Sequence, residues 1–143
     1  MGDPSILPIL QKIPLFQELS ELRHQDVIDH IILNYYPVNH VLFHEKDPGD
    51  KMYIIKSGLV KISRLDDGGS DREVATLAAN DFFGEMALIS DASRNATATV
   101  IQDAEVFELS KTDFMKLIQS TPELANKIST EFIARMKTNN KTA

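Results

Sequence analysis

Cysteine is absent from the 143 residues, and with it go disulfide frameworks, thiolate-zinc sites, iron–sulfur clusters and cysteine nucleophiles. Long apolar runs are missing too, since no stretch reaches the roughly 18 residues that a spanning helix needs. Met1 to Leu10 lacks the basic start and apolar stretch of a secretory signal, so the expectation is a cytoplasmic chain without a membrane span. The opening Met1-Gly2-Asp3-Pro4-Ser5-Ile6 resembles a myristoylation start only superficially, because Ile6 stands where that pattern wants Ser or Thr. Basic residues are in deficit, with 15 Lys and Arg against 21 Asp and Glu and a net charge of −6. That balance disfavours a surface built to neutralise many phosphates. A single well-placed Arg can still hold one small anion. What remains, 43% hydrophobic and 25% charged residues with six Gly and six Pro, is ordinary globular usage in a chain long enough for one core.

The first third reads as helical, a lead over residues 5–34. Leu22, Ile28, Ile31, Ile32 and Tyr35 recur along one face after a capping Ser20, which predicts a helix over about 20 to 34. Before it, an apolar stretch from Ile6 to Phe16, interrupted by Pro8 and Pro14, predicts short helical turns packed as satellites. From 36 to 109 the texture changes to short β-branched and aromatic runs between turn formers. Strands are predicted at Val38–Phe43, Met52–Lys56, Leu59–Arg64, Glu73–Leu77, Thr97–Ile101 and Glu105–Leu109. Asp47-Pro48-Gly49-Asp50 and Ser57-Gly58 supply turns, Asp66 to Asp71 is a polar hairpin tip, and a jelly roll is the natural closure. Helices return over 111–137. Ser110 and Asp113 form a capping signature for the first, and Thr121-Pro122-Glu123 opens a second with Leu124, Ile128, Phe132 and Met136 along one side.

One segment inside the β region resists a strand assignment. Gly84-Glu85-Met86-Ala87-Leu88-Ile89 reads as a short helix opened by a glycine, and a helix start presents unpaired N–H groups to an anion. Arg94 can return across the same cradle with its two-pronged guanidinium. A carboxylate beside a phosphate needs another task, and Glu85 accepting a hydrogen bond from a sugar hydroxyl is one, with Arg94 keeping it ionised. Ala87, Ala96 and Thr97 are small enough for close backbone approach, and the Thr97 hydroxyl can reach phosphate or base. Glycine, acid and arginine together suit a phosphorylated ribose.

Phe83-Gly84-Glu85-Met86-Ala87-Leu88 followed by Arg94-Asn95-Ala96-Thr97 resembles the phosphate-binding cassette (83–97) of the cyclic nucleotide-binding domain family. That family includes cAMP-dependent kinase regulatory subunits, catabolite activator-type regulators and cyclic-nucleotide-gated channels. The stretch from Glu45 to Ile62 resembles the family's barrel signature, and the flanking helices its helical subdomain, so nearly the whole chain is covered. The resemblance implies a mainly β fold: an eight-stranded β-roll with N-terminal helices, a short cassette helix and C-terminal helices, one domain over 1–143. It implies that Glu85 binds the ribose 2′-hydroxyl, Arg94 the cyclic phosphate, and backbone at Gly84, Ala87 and Ala96 the other oxygens. It further implies that the C-terminal helix caps the base, with Phe132 or Arg135 touching the purine. Three departures stand out: Lys46 and Asn80 replace common glycines, and Ser93 a common proline. Asn80 tolerates the left-handed backbone a glycine would adopt. After the Arg, a Thr in the family tends to favour cGMP and an Ala to accompany cAMP; Asn95 is neither, and the lean is to cAMP.

The expected function is therefore a sensor, not an enzyme, binding cAMP or cGMP with no cofactor or metal. Its output passes to a protein effector or to a larger parent chain; with Ala143 just past the last helix, no direct DNA binding is expected. Two other classes compete with this one. An interaction module that kept the roll but lost nucleotide binding is opposed by the intact Glu85 and Arg94. A cupin-like enzyme needs a metal cluster, and His40 and His44 would lie about 13 Å apart on a strand. His24 and His30 are expected to be solvated on a polar helix face, and Asp66, Asp67 and Asp71 to be a solvated tip rather than a calcium loop.

Overall fold

Two long strands carry the architecture. The computed structural model describes residues 6–13, 16, 17, 21–88, 93–120 and 122. Its elements are α1 (Leu7–Leu10), α2 (Glu21–Ile28), β1 (Ile32–Tyr36), β2 (Val41–Phe43), β3 (Lys51–Leu65), β4 (Asp71–Leu77), β5 (Phe82–Phe83), a 3-10 turn (Glu85–Leu88), β6 (Thr97–Ser110) and α3 (Lys111–Ser120). Every strand pairing is antiparallel. β3 and β6 run beside each other from Lys51↔Ser110 to Ser63↔Thr97, with register shifts between Ile55 and Val60. There both strands bend: Gly58 has φ +91°, and a Cβ on it would lie 2.4 Å from the Asp103 carbonyl oxygen, so only glycine lets the strands approach this closely.

The bend divides the pairings into two groups. On one side of it the order is β1–β6–β3–β5, on the other β2–β6–β3–β4. The six strands among the described residues become the eight of the expected roll once β3 and β6 are divided at their bends. The two predicted strand pairs, 52–56 with 59–64 and 97–101 with 105–109, are thus continuous strands. The hydrogen-bonded sheet does not close on itself, and β1 and β4 end its main path.

Alternation along β3 sorts the core into two clusters. Tyr53 and Ile55 point into the roll with Phe43, Val60, Phe83, Ala98, Val100 and Val106. Met52 and Ile54 point outward to a second cluster, with Phe107 and Leu109, that the helices cover. Ile6, Leu10, Ile13, Phe16 and Phe114 are fully buried there, so the N-terminal turns expected as satellites form one wall of a true core. His24 belongs to that wall rather than to solvent: it is 2% exposed, its Nε2 2.7 Å from the Phe16 carbonyl oxygen. His30 is half-buried, with Nδ1 2.9 Å from the Asp26 carbonyl oxygen.

Helix α2 stops at Ile28 and not at 34. Ile32 to Tyr36, whose first and fourth members fit the helical face, pair instead with Glu108 to Ala104. A β-branched Ile32 and two tyrosines suit a strand, and the partner that selects it lies far along the chain. The strand predicted over 38–43 begins at Val41, because Asn39 turns the chain with φ 77°. Phe82–Phe83, not expected as a strand, pairs with Tyr53 and Ile54. At the hairpin tip, Asp66 Oδ1 accepts the N–H groups of Gly68 and Ser70, which gives that carboxylate a turn-forming role. The Asp113 N–H donates to Ser110 Oγ at 3.1 Å, the expected cap on α3. The second C-terminal helix, from Glu123 onward, and the Ser20 cap lie outside the described residues.

Candidate functional site

The cassette begins at a turn fixed by Asp81, whose Oδ2 accepts the Ala78 N–H at 2.8 Å. Asn80 adopts φ 76°, the left-handed conformation expected of it, and its N–H is tied to the Ile55 carbonyl at 2.8 Å. β5 follows, and Phe83 stacks flat on Tyr53, centroids 4.9 Å apart and planes 11° apart. Gly84 then reverses the chain with φ +78° into the Glu85–Leu88 turn, which Leu88 anchors in the outer core. That turn is the short helix expected after Gly84. Glu85 is 2% exposed, a buried carboxylate at the turn's first position. Met86 is half-buried and Ala87 buried. The Ala87 N–H, one of the donors expected for the phosphate, donates to the Gly84 carbonyl at 3.1 Å.

The second block is held from the β2–β3 loop. The Lys46 N–H donates to the Arg94 carbonyl at 2.7 Å and the Arg94 N–H to the Asp47 carbonyl at 2.8 Å. Lys46, where the family commonly has glycine, holds φ 78°, so this departure sits at a position that still demands the glycine conformation. Ser93, in place of proline, makes an isolated bridge with Pro48.

Arg94 is 4% exposed. Its guanidinium carbon lies 4.1 Å from the Phe43 ring centroid and 5.6 Å from that of Tyr53, and Nη2 donates to the Lys51 carbonyl at 2.8 Å. Nε is buried with no hydrogen-bond partner. Burial pushes the guanidinium below its usual pKa, while Tyr53, Asp50 and Asp47 act to hold its charge. Tyr53 is itself pushed up to about 12, chiefly by burial, with Arg94 working against the shift. The carboxylates acting on the cation are thus those of the β2–β3 loop, which motif reading did not single out. Phe43, Asp47, Asp50, Lys51 and Tyr53 also border a cleft of about 310 Å³ completed by Leu42 and Pro48. None of the Gly84–Leu88 turn lines it.

Asn95 buries Oδ1 without a partner. Ala96 is fully buried in the inner core. Thr97 Oγ1 accepts the Glu45 N–H at 2.9 Å, so the hydroxyl expected at phosphate or base braces the loop here. Phe132 and Arg135 lie outside the described residues. A further buried carboxylate, Glu108, is 5% exposed; it pairs with Lys51 Nζ at 2.9 Å and accepts the Tyr36 hydroxyl proton. Lys51 therefore touches Arg94 through its main chain and Glu108 through its side chain.

The cyclic nucleotide-binding domain model matches residues 33–121, and the chain belongs to that family. Among curated relatives, the cyclic AMP receptor protein of Thermus thermophilus is 29% identical over 87% of this chain and 57% of its own. A cGMP-dependent protein kinase of Caenorhabditis elegans is 36% identical over 79% of this chain and 15% of its own. The chain thus spans little more than half of the first relative and a small part of the second. Among solved structures, the N-terminal domain of a Streptomyces coelicolor transcriptional regulator superposes with a TM-score of 0.80, at 26% identity and 92% coverage of both chains. The regulatory domain of Toxoplasma gondii PKA, solved with cAMP, gives 0.73 at 30% identity, covering 82% of this chain and 46% of that one. Among the described residues no helix is long and apolar enough to cross a membrane.

Proposed function

We propose that the domain binds a cyclic nucleotide, cAMP in preference to cGMP, between Gly84 and Thr97, and works as a sensor rather than as an enzyme. The observation that carries this reading is Arg94: a cation 4% exposed, in the cassette block of a cyclic nucleotide-binding family member, with a buried Nε donor that has no acceptor. A buried unmet donor costs about 1–3 kcal/mol, and a phosphate oxygen is the acceptor that would answer it with a charge-assisted bond. Glu85, buried at the head of its turn, accepts the ribose 2′-hydroxyl proton in this scheme. The likeness to a regulatory domain solved with cAMP supports the base assignment, and the relative named as a cGMP-dependent kinase makes cGMP the necessary comparison. Ligand on Arg94 and the Gly84 turn draws the cassette inward, and the hinge before the last helix lets that helix repack over the base. The signal passes from the helix to a protein effector or to the rest of a longer polypeptide in the cytoplasm.

Calorimetric titration with cAMP and cGMP, on nucleotide-free wild type and Arg94→Ala, tests the reading. Micromolar or tighter binding that collapses in the variant is expected, with cAMP the tighter ligand. Absence of heat and of any thermal shift with both nucleotides refutes it in favour of a module that retains the roll for protein contacts. Hydrogen exchange of the C-terminal helix that is equal with and without nucleotide sinks the helix movement alone.

A further inference from the structure

Arg94 sits face-on to one aromatic ring, and that arrangement has a use at the proposed site. A guanidinium carries its N–H donors in its own plane, so contact through the flat face fixes the group while leaving the donor edge open. The guanidinium carbon lies over the Phe43 ring, 4.1 Å from its centroid. Tyr53 lies at 5.6 Å and packs against Phe43, with centroids 5.6 Å apart. The Lys51 carbonyl takes Nη2, and Nε is left buried without a partner. The cation is thus already buried, packed over a ring and held at Nη2, with the Nε donor kept vacant.

We infer that Phe43 is a positioning residue for anion capture, holding the Arg94 plane so that its vacant donor meets a phosphate oxygen without first losing water or rotamer freedom. The inference rests on the proposed nucleotide site and deepens it. Ring and guanidinium act before the ligand arrives, so their effect falls on the phosphate part of the affinity and not on the base or sugar part. A ring that merely fills the roll would change stability and leave that division untouched. A ring that stored Arg94 away from the ligand would have the opposite sign, and its removal would tighten binding.

The test compares wild type, Phe43→Leu and Phe43→Tyr, each with Arg94 and with Arg94→Ala, titrated with cAMP and with adenosine, which lacks the phosphate. Leu keeps most of the apolar volume and Tyr keeps the ring. Phe43→Leu is expected to weaken cAMP binding by about 3- to 30-fold, the range of a desolvated cation–ring contact. Adenosine binding stays unchanged, Phe43→Tyr restores the cAMP affinity, and the loss disappears when Arg94 is already alanine. Thermal denaturation of each free protein confirms that the variants are folded. Equal cAMP affinity in wild type and Phe43→Leu, tighter binding by Phe43→Leu, or an equal loss for cAMP and adenosine overturns the inference while leaving the binding site standing. Failure of the wild type to bind either cyclic nucleotide overturns the site and the inference together.

Discussion

Replacing Gly58 by alanine tests whether the bend in β3 depends on the missing side chain. Gly58 has φ +91°, and a Cβ there would meet the Asp103 carbonyl oxygen at 2.4 Å, the Ala104 Cα at 2.6 Å and its Cβ at 2.8 Å. An L-residue in the left-handed region costs about 1–2 kcal/mol. The contacts are largely main chain of the partner strand, which cannot swing aside, and overpacking of this kind costs about 1–3 kcal/mol more. Stiffening of the unfolded chain returns roughly 0.4–1 kcal/mol, which leaves a net loss of about 3 kcal/mol. Gly69 supplies the control: its φ is +81° with nothing within 4 Å of a built Cβ, so Gly69→Ala reports the backbone cost alone, about 1 kcal/mol. Urea denaturation followed by circular dichroism separates the two. At about 1–3 kcal/mol per molar urea, the Gly58→Ala midpoint falls by between about 1 and 3 M. If Gly58→Ala loses no more than Gly69→Ala, the close strand approach is not what demands glycine and the reasoning fails.

The other predictions are smaller. Lys46→Gly relieves φ 78° and is expected to stabilise by about 1 kcal/mol, seen as a rise in Tm of about 2–4 °C; a fall would show that the lysine side chain earns its place. All three tyrosines are raised above the ordinary phenol pKa: Tyr35 by its hydrogen bond to Asp103, Tyr36 by burial and the Glu108 bond, Tyr53 to about 12 by burial. Raised phenols hold their protons longer when folded, so their stabilisation is complete below pH 10 and is lost as pH climbs from 10 towards 12. For Tyr53 alone the loss is about 2–3 kcal/mol. Phenolate absorbance from Tyr36 and Tyr53 should be nearly absent from the folded protein at pH 10, and more than one tyrosine ionising there before unfolding contradicts the burial argument. Ser110→Ala removes the oxygen that accepts the Asp113 N–H and should cost about 1 kcal/mol in urea midpoint analysis; no change would mean that the cap is idle.

Features set by a few neighbouring residues were legible in the sequence. The turn at Gly84, the left-handed Asn80, the Ser110 cap and the strands on either side of the Asp66 tip all depend on local chemistry. Features chosen by a distant partner were not. Ile31, Ile32 and Tyr35 satisfy a helical period as well as a strand, and Ile32 is decided by Glu108, its pairing partner on β6. His24 carries the spacing of a polar face and is buried because Phe16 arrives above it. Gly58 marks a change of direction whether the chain reverses or only bends, and the continuous pairing of β3 with β6 settles that as a bend. At the site, Gly84, Glu85 and Arg94 stand out as types and spacings. Phe43, Tyr53 and the Lys51 carbonyl do not, because their relation to Arg94 exists only once β2, β3 and the second cassette block are brought together.

The central place of β6 also bears on how the molecule comes into being. It is the last strand to be synthesised among those described, yet β1, β2 and β3 all take their hydrogen bonds from it. While a ribosome is still adding residues 97–110, β1 and β2 have no native partner to meet, and their unpaired edges stand open to whatever is nearby. Assembly must wait for that stretch to emerge and then close loops as long as the one from Ile32 to Glu108. Chains dominated by such distant pairings fold in milliseconds to seconds rather than microseconds. Nascent chains of this protein are therefore expected to occupy chaperones until β6 clears the exit tunnel, and a stop introduced before Thr97 should yield aggregate rather than a smaller folded unit.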